Sequence, residues 1–149
     1  MNNSLTVDTN RNYVEAGCGE PIILLYGLFG SVKNFEPLIN HLKQSYRVIV
    51  PVFPFFEKGM SISIFSLTEF LDELTKELSL DQFHLLGNSM GGHIALLYAL
   101  NHPEKITSLI LSGSSGLYES GMGDTFPKRS DSVSYTHLQT INHTIAGKT

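Results

Sequence analysis

One serine of this chain stands between two glycines in a pattern that suits nucleophilic chemistry. Ser89 has Gly87 two residues before it and Gly91 two residues after it. An apolar run at 83–86 leads in, and an apolar helical run at 91–100 leads out. Such a G-x-S-x-G strand-to-helix turn holds a serine hydroxyl up for attack on a carbonyl. The serine takes an unfavourable positive φ, and side chains at either glycine would collide as strand and helix close together.

The elements around this turn alternate between strand and helix. Apolar runs predict strands at 5–7, 13–16, 22–26, 47–50, 83–86 and 106–111. Apolar residues at helical spacing predict helices at 32–42, 66–78 and 91–100, the second of them opened by a Ser66–Glu69 capping box. This alternation indicates βαβ units and a parallel, doubly wound sheet. Active sites in such sheets lie at the carboxyl ends of the strands, where Ser89 and the loop Gly27–Gly30 both fall.

Composition excludes several classes of function. The chain has 149 residues, of which 42% are hydrophobic and 16% charged, as in a globular domain. Its formal charge of −4, without a basic stripe, argues against nucleic acid as a partner. Cys18 is the only cysteine, which excludes an intrachain disulfide and cysteine-based zinc sites. No apolar run reaches membrane-spanning length and the polar first ten residues do not form a signal peptide, so we expect a cytoplasmic protein.

Three stretches together resemble the α/β-hydrolase fold family: YGLFG at 26–30, GNSMGG at 87–92 and NHPEKI at 101–106. The resemblance covers about residues 5 to 130 in order and spacing. It implies an α/β fold, a doubly wound and mostly parallel sheet of the α/β-hydrolase type, truncated here after about the family's sixth strand. It also implies a serine hydrolase acting on a carboxylic ester or related carbonyl substrate, without cofactor or metal. The form of the elbow is similar to those of esterases and carbon–carbon bond hydrolases.

The resemblance assigns roles to five residues. Ser89 would be the nucleophile, Gly87 and Gly91 the elbow glycines, and the backbone N–H groups of Leu28 and Met90 the oxyanion hole. The physical chemistry agrees, because Met90 opens a helix whose free N–H groups favour negative charge.

Two stretches depart from the family pattern. Tyr26 stands where family members commonly carry histidine before the oxyanion-loop glycine. The aromatic stretch 51–56 (PVFPFF) replaces a polar, glycine-containing loop. Its phenylalanines, Phe53, Phe55 and Phe56, suit either the core or a substrate pocket. The loss of polarity predicts a small, apolar substrate.

The family's acid and histidine normally follow its seventh and eighth strands, so we expect both beyond residue 149. The six histidines suit structural places better: His41, His84, His93 and His102 lie in or beside predicted elements, and His137 and His143 lie in the tail. A minority of the fold places its acid after the sixth strand, which leaves Glu119, Asp124 and Asp131 as alternatives.

Three segments are expected along the chain. Residues 1–118 would form the N-terminal part of the core and 119–131 the start of a cap, whereas 132–149 fit no element and resemble translated adapter sequence rather than native protein. The strand at 106–111 would then be an exposed apolar edge, so we expect poor solubility and little turnover from these 149 residues alone.

Two other functions remain open at this point. The same fold and elbow occur in cofactor-free haloperoxidases and perhydrolases. A non-catalytic binding protein of this fold is the third possibility, and Tyr26 gives it slight support. A dinucleotide site is disfavoured, since no G-x-G-x-x-G follows the strand before Gly27.

Overall fold

The computed structural model describes residues 12–54 and 63–115, together with the backbone of Gln139–Ile141. Its strands are β1 Tyr13–Ala16, β2 Glu20–Leu25, β3 Tyr46–Pro51, β4 Phe83–Asn88, β5 Ile106–Ser112 and β6 Gln139–Ile141. Its α-helices are α1 Glu36–Leu42, α2 Ile64–Glu77 and α3 Met90–Asn101, and short 3₁₀ turns at Val32–Phe35 and Pro103–Lys105 precede α1 and β5. Apart from 5–7, which lies outside the described residues, each predicted strand and helix is present with its ends shifted by a few residues.

The sheet has the order β1-β3-β2-β4-β5-β6, and its four central strands are parallel. The chain steps from β2 to β3 on one side, then returns to place β4 on the other side of β2. This reversal makes a topological switch point between β2 and β4, and a crevice forms there at the carboxyl ends of the strands. The predicted mostly parallel α/β sheet is therefore confirmed, and the crevice opens between the Gly27 loop and Ser89.

The core is built from the two-sided apolar strands and one face of each long helix. Ile23, Leu24 and Leu25 of β2 are fully buried, as expected for a central strand covered on both faces. Helices α2 and α3 pack against each other, and their buried hydroxyl groups, Thr75 Oγ1 and Tyr98 OH, lie 2.9 Å apart in a hydrogen bond. The apolar stripe predicted for α2 does face the core: Leu67, Leu71 and Leu74 are buried, and Phe70 and Leu78 pack beside them.

Helix α2 begins earlier than the sequence predicted. Its N-cap is Ser63, whose Oγ accepts from the Ser66 N–H at 3.1 Å, while Ser66 Oγ accepts from the Ser63 N–H at 2.9 Å. The capping box therefore joins Ser63 to Ser66, and the predicted Ser66–Glu69 box is wrong. Because the helix begins at Ile64, the Ile64 side chain packs against the core within the first turn. The two serine hydroxyls accept from backbone N–H groups that have no partner within the helix.

Part of the outer edge of strand β5 is paired with another strand. Its residues Leu109, Ile110 and Leu111 pair antiparallel with Ile141, Thr140 and Gln139 of β6. The expectation of an exposed edge, and of no strand within 132–149, is corrected over these residues. The pairing has a simple physical reason, because the outer N–H and C=O groups of β5 need partners and a short antiparallel strand supplies them.

Other expectations lie outside the described residues, including the fate of Phe55 and Phe56, the cap at 119–131 and the acid alternatives Glu119, Asp124 and Asp131. Within the described ranges, every helix is too short or too polar to pass through a bilayer.

Candidate active site

Ser89 lies at a sharp turn between β4 and α3, in the conformation that the elbow pattern predicts. Its φ is 53° and its ψ is −120°, a region that residues with a Cβ rarely adopt. Strain of this kind costs about 1–3 kcal/mol and persists only where the surrounding structure holds it. The turn leaves the Ser89 side chain exposed at the carboxyl edge of the sheet.

The glycines around Ser89 let strand and helix approach each other. A Cβ added to Gly91 would meet the backbone of β2, with the carbonyl oxygen of Leu25 in the way and that of Tyr26 at 2.7 Å. A Cβ on Gly87 would meet Gly91 and lie 2.5 Å from the Cα of Gly92. Each contact is shorter than real Cβ atoms show, and each involves backbone that cannot rotate away. Gly87 and Gly91 are therefore required sterically, as the sequence predicted.

The substitution Gly91→Ala should destabilise the protein by about 3 kcal/mol, because its methyl group forces β2 and α3 apart. Chemical denaturation followed by circular dichroism measures this. Gly113→Ala is the control: Gly113 has a positive φ of 53°, unlike Gly91, and no atom lies within 4 Å of its added Cβ, so this variant measures conformational strain without a steric clash. A loss at Gly91 no larger than that at Gly113 would contradict the steric requirement at Gly91.

The loop after β5 fastens the backbone of the elbow. The Ser89 N–H donates to the Ser112 carbonyl at 3.0 Å, and the Ser115 N–H donates to the Ser89 carbonyl at 3.1 Å. The same carbonyl also accepts from the Gly92 N–H at 3.0 Å within α3. These bonds hold the strained residue in place. No sequence motif indicates this role for the residues after β5, although their position after the strand beside β4 could have done so.

The loop Gly27–Gly30 lies directly beside Ser89. A Cβ on Gly27 would be 3.0 Å from the Ser89 Cβ and 3.4 Å from its Oγ. The Gly30 N–H donates to the Gly27 carbonyl at 2.9 Å, which closes a tight turn with Leu28 and Phe29 at its centre. Within the part of the chain that the structure describes, no acceptor pairs with the N–H of Leu28 or with that of Met90, the first residue of α3.

An open pocket of about 530 Å³ joins these parts. Its lining combines the turn, Ser89 and two residues that the sequence did not single out, Asn34 and Phe35. Asn88, which precedes Ser89, also lines it and donates through Nδ2 to the Ser112 carbonyl at 3.1 Å. Most of the surface that lines the pocket is polar, and Leu28, Phe29 and Phe35 are among its apolar residues. The pocket position of Asn34 and Phe35 could have been predicted, because both follow Gly30 closely in the chain.

Tyr26 connects this loop to the chain after β3. Its hydroxyl oxygen accepts a hydrogen bond from the Phe53 N–H at 2.9 Å, and its ring meets the Phe53 ring edge-on with centroids 5.5 Å apart. Burial raises the pKa of Tyr26, although the hydrogen bond from Phe53 opposes the shift. Phe53 is itself buried and packs on Phe70 of α2. Of the two uses open to Phe53, the structure shows the core, and Tyr26 fixes the neighbouring loop to it.

Tyr26→Phe should lower the free energy of unfolding by about 1–3 kcal/mol, since it leaves the buried Phe53 N–H without this acceptor. Urea denaturation provides the measurement. Tyr46→Phe is a suitable control, because Tyr46 is only partly buried and its described contact is a ring contact with His84. Equal effects of the two substitutions would mean that the Tyr26 hydroxyl contributes nothing specific.

Comparison with known proteins decides the family. A family model described as alpha/beta hydrolase fold matches residues 20–139. The chain belongs to the α/β-hydrolase fold family. It is similar to a 2-hydroxy-6-oxononadienedioate/2-hydroxy-6-oxononatrienedioate hydrolase of Pseudomonas putida, with 36% identity over 120 residues that cover 72% of this chain and 41% of the relative. It is also similar to Lipase 1 of Psychrobacter immobilis, with 32% identity over 74% of this chain and 37% of the lipase.

A solved structure shows the same relationship. An α/β hydrolase enzyme from the metagenome of lagoon sediments at Mar Chica, Morocco, superposes with a TM-score of 0.66 and 38% identity. The match covers 72% of this chain and 50% of that one. The chain spans about 40% of the length of the curated hydrolases that it matches. The resemblance to the α/β-hydrolase fold family that three stretches of the sequence indicated is thus confirmed.

The histidines of this chain serve structural contacts where their contacts are described. His84 Nδ1 lies 2.8 Å from Ser108 Oγ, and its Nε2 lies 3.2 Å from Glu20 Oε2, across three neighbouring strands. The His102 ring packs against the Tyr98 ring in a tilted arrangement with centroids 4.7 Å apart. Both pairs lie away from the carboxyl edge of the sheet. His41 is exposed on α1, His93 lies in the first turns of α3, and His137 and His143 fall outside the described residues.

The described residues contain no candidate metal site. Across 12–54 and 63–115, no three histidine, cysteine, aspartate or glutamate side chains come together in a way that could hold an ion. Ser89, the Gly27–Gly30 turn and the first residue of α3 lie together at the carboxyl edge of the sheet.

Proposed function

We propose that the protein is a serine hydrolase of carboxylic esters or related carbonyl compounds, with Ser89 as its nucleophile. One observation carries the proposal: Ser89 is held at a strained positive φ, exposed beside an open pocket and next to two backbone amides. Structures maintain such strain mainly at functional sites. A serine that served only to cap α3 would take ordinary extended backbone instead.

The reaction follows from these positions. Ser89 Oγ attacks the carbonyl carbon while its proton passes to a general base, and the carbonyl oxygen becomes an oxyanion. The N–H groups of Leu28 and Met90 stabilise that oxyanion by hydrogen bonds. Collapse of the tetrahedral intermediate breaks the bond to the leaving group, which takes up the proton. Water then attacks the acyl-Ser89 ester while its proton passes to the base. Ser89 Oγ is the leaving group in this second step and takes the proton back.

We assign the base and its orienting acid to parts of the protein outside the described residues. His84 and His102 are engaged in contacts elsewhere, as described above. A histidine that reaches Ser89 from the carboxyl edge of the sheet would complete a catalytic triad. Its imidazole would take the serine proton, and a carboxylate would orient the imidazole.

A second candidate is hydrolysis of a carbon–carbon bond beside a ketone. It is favoured by the 36% identity to the Pseudomonas hydrolase, whose name specifies a 6-oxo dienedioate substrate. The same nucleophile and oxyanion amides would serve a ketone carbonyl. The apolar residues Leu28, Phe29 and Phe35 and the amides of Asn34 and Asn88 in the pocket lining would suit an unsaturated chain with polar ends.

A substrate panel separates these functions. The protein, expressed from its complete reading frame, should hydrolyse p-nitrophenyl esters, and a parallel assay should follow loss of the dienoate chromophore of a 2-hydroxy-6-oxo acid. Peroxide-dependent oxidation in acetate buffer tests for a perhydrolase or haloperoxidase. A folded protein that turns over none of these substrates would reject the hydrolase proposal and favour a binding protein of this fold.

A further inference from the structure

Phe29 occupies a backbone position that normally belongs to glycine. In the turn closed by the Gly30 N–H and the Gly27 carbonyl, Phe29 is the third residue and has a φ of 61°. Leu28, the second residue, is not among the residues with positive φ, so the signs match a type II turn. Type II turns require a positive φ at this third residue and select glycine or asparagine there. A phenylalanine is therefore kept against its own conformational preference.

Within the described residues, Phe29 does not offset this cost by burial. Phe29 is 85% exposed, the largest exposure among the big hydrophobic residues that the structure describes. Burial of an aromatic side chain would ordinarily be a main source of stability. Neither backbone preference nor packing among the described residues explains a phenylalanine at this position, and its place in the lining of the neighbouring pocket offers a reason.

The pocket that contains Ser89 includes Phe29 in its lining. Phe29 lines this pocket together with Leu28 and Phe35, and Leu28 is itself more than half exposed. Leu28 and Phe29 belong to the turn that carries the Leu28 N–H, and Phe35 ends the 3₁₀ turn that follows it. A carbonyl oxygen bound at that N–H would bring its own substituents close to these side chains. The acyl group stays bonded to Ser89 Oγ until the second half-reaction whereas the leaving group departs in the first, so the acyl group is the part that we place against this turn.

We propose that Phe29 determines acyl-group specificity, its ring contacting an alkyl or aromatic acyl group and so favouring esters of apolar acids of medium length over acetyl esters. The inference rests on the proposed function of Ser89. It adds a residue that acts on the choice of substrate rather than on the chemical step, and it gives a reason for the strained turn. Burial of the exposed ring against the acyl chain supplies the binding free energy.

The test compares kcat/KM for p-nitrophenyl octanoate and p-nitrophenyl acetate, using the protein expressed from its complete reading frame. The two esters share a leaving group, so their ratio reports the acyl contact and cancels any common change in the oxyanion turn. Phe29→Gly should lower the octanoate-to-acetate ratio about tenfold, the loss expected when one aromatic contact disappears. Phe29→Tyr keeps the ring and should keep the ratio within about twofold. Phe29→Asn removes the ring while tolerating the positive φ, and should behave like the glycine variant.

Thermal unfolding of the same variants distinguishes specificity from structure. Because the ring is exposed and its φ is unfavourable, Phe29→Gly and Phe29→Asn should melt no more than about 2 °C below the parent. An unchanged ratio in both variants would overturn the inference while leaving the hydrolase proposal intact. A drop in melting temperature of more than about 5 °C in both would also overturn it, since the ring would then belong to the core. Absence of hydrolysis of either ester by the folded parent would overturn the inference, and absence of dienoate turnover as well would reject both proposals.

Discussion

Replacing Ser89 with alanine should lower kcat/KM for p-nitrophenyl esters by at least about 10⁴-fold without unfolding the protein. The substitution removes one oxygen atom and retains the Cβ, so the strained backbone at φ 53° is left as it was. The hydrogen bonds that hold the elbow use the backbone N–H and carbonyl of residue 89, and alanine preserves them. Only the proposed nucleophile is lost. Some catalysis above the rate in water should remain, because the proposed oxyanion amides and the pocket would still bind the substrate.

Steady-state kinetics and thermal unfolding together check this prediction. Ser108→Ala is the matched control, since Ser108 hydrogen-bonds His84 on β4, away from the carboxyl edge. It should leave kcat/KM within about twofold of the parent. A loss of less than tenfold in Ser89→Ala would mean that another group performs the chemistry.

The substitution Leu28→Pro should lower kcat by about 10²–10³-fold while the fold is maintained. Leu28 is the second residue of the turn Gly27–Gly30, a position that proline favours in type II turns. Proline has no N–H, so the substitution deletes the proposed oxyanion donor with little disturbance of the turn around it. The residue before it is Gly27, which has no Cβ to clash with the proline ring.

The control for this variant is Leu28→Ala, which removes the exposed side chain and keeps the N–H. We expect its kcat to change by less than about threefold, because the transition-state contact is made by the backbone. Circular dichroism and thermal unfolding establish that the proline variant is folded. Equal effects of proline and alanine would show that the side chain of Leu28, rather than its amide, matters. An unaffected proline variant would remove Leu28 from the oxyanion hole.

Much of this site could be predicted from local sequence because its constraints are local. Gly87, Ser89 and Gly91 fall within five residues, and the apolar runs on either side fix which is strand and which is helix. The parallel sheet then brings the Gly27 turn to the same edge as Ser89, which a rule about strand ends predicts without coordinates. The structure adds the distances and the backbone angles.

The features that sequence reasoning missed depend on distant or unusual partners. The hydrogen bond from Phe53 to Tyr26 joins residues 27 positions apart, so no local pattern announces it. The positive φ of Phe29 is hidden because the residue that signals it is normally glycine. The true cap of α2 was missed since Ser63–Ser66 and Ser66–Glu69 have the same spacing, and only the packing of Ile64 separates them.

The pairing of β5 with β6 was missed because it also depends on a partner that is distant in the sequence. The strand at Gln139–Ile141 has no apolar pattern of its own, and its position comes from the unpaired groups at the edge of β5. Whether residues 132–149 are native stays a prediction. Sequencing the reading frame in independent reads of its source tests it.

Covalent labelling tests the central claim most directly. A fluorophosphonate probe, incubated with the protein expressed from its complete reading frame, should add one phosphonyl group, and peptide mass spectrometry should place it on Ser89. The adduct should be absent from Ser89→Ala and present in Ser108→Ala. A folded protein that takes up no probe, or carries it on a different residue, would contradict the assignment of Ser89 as the nucleophile.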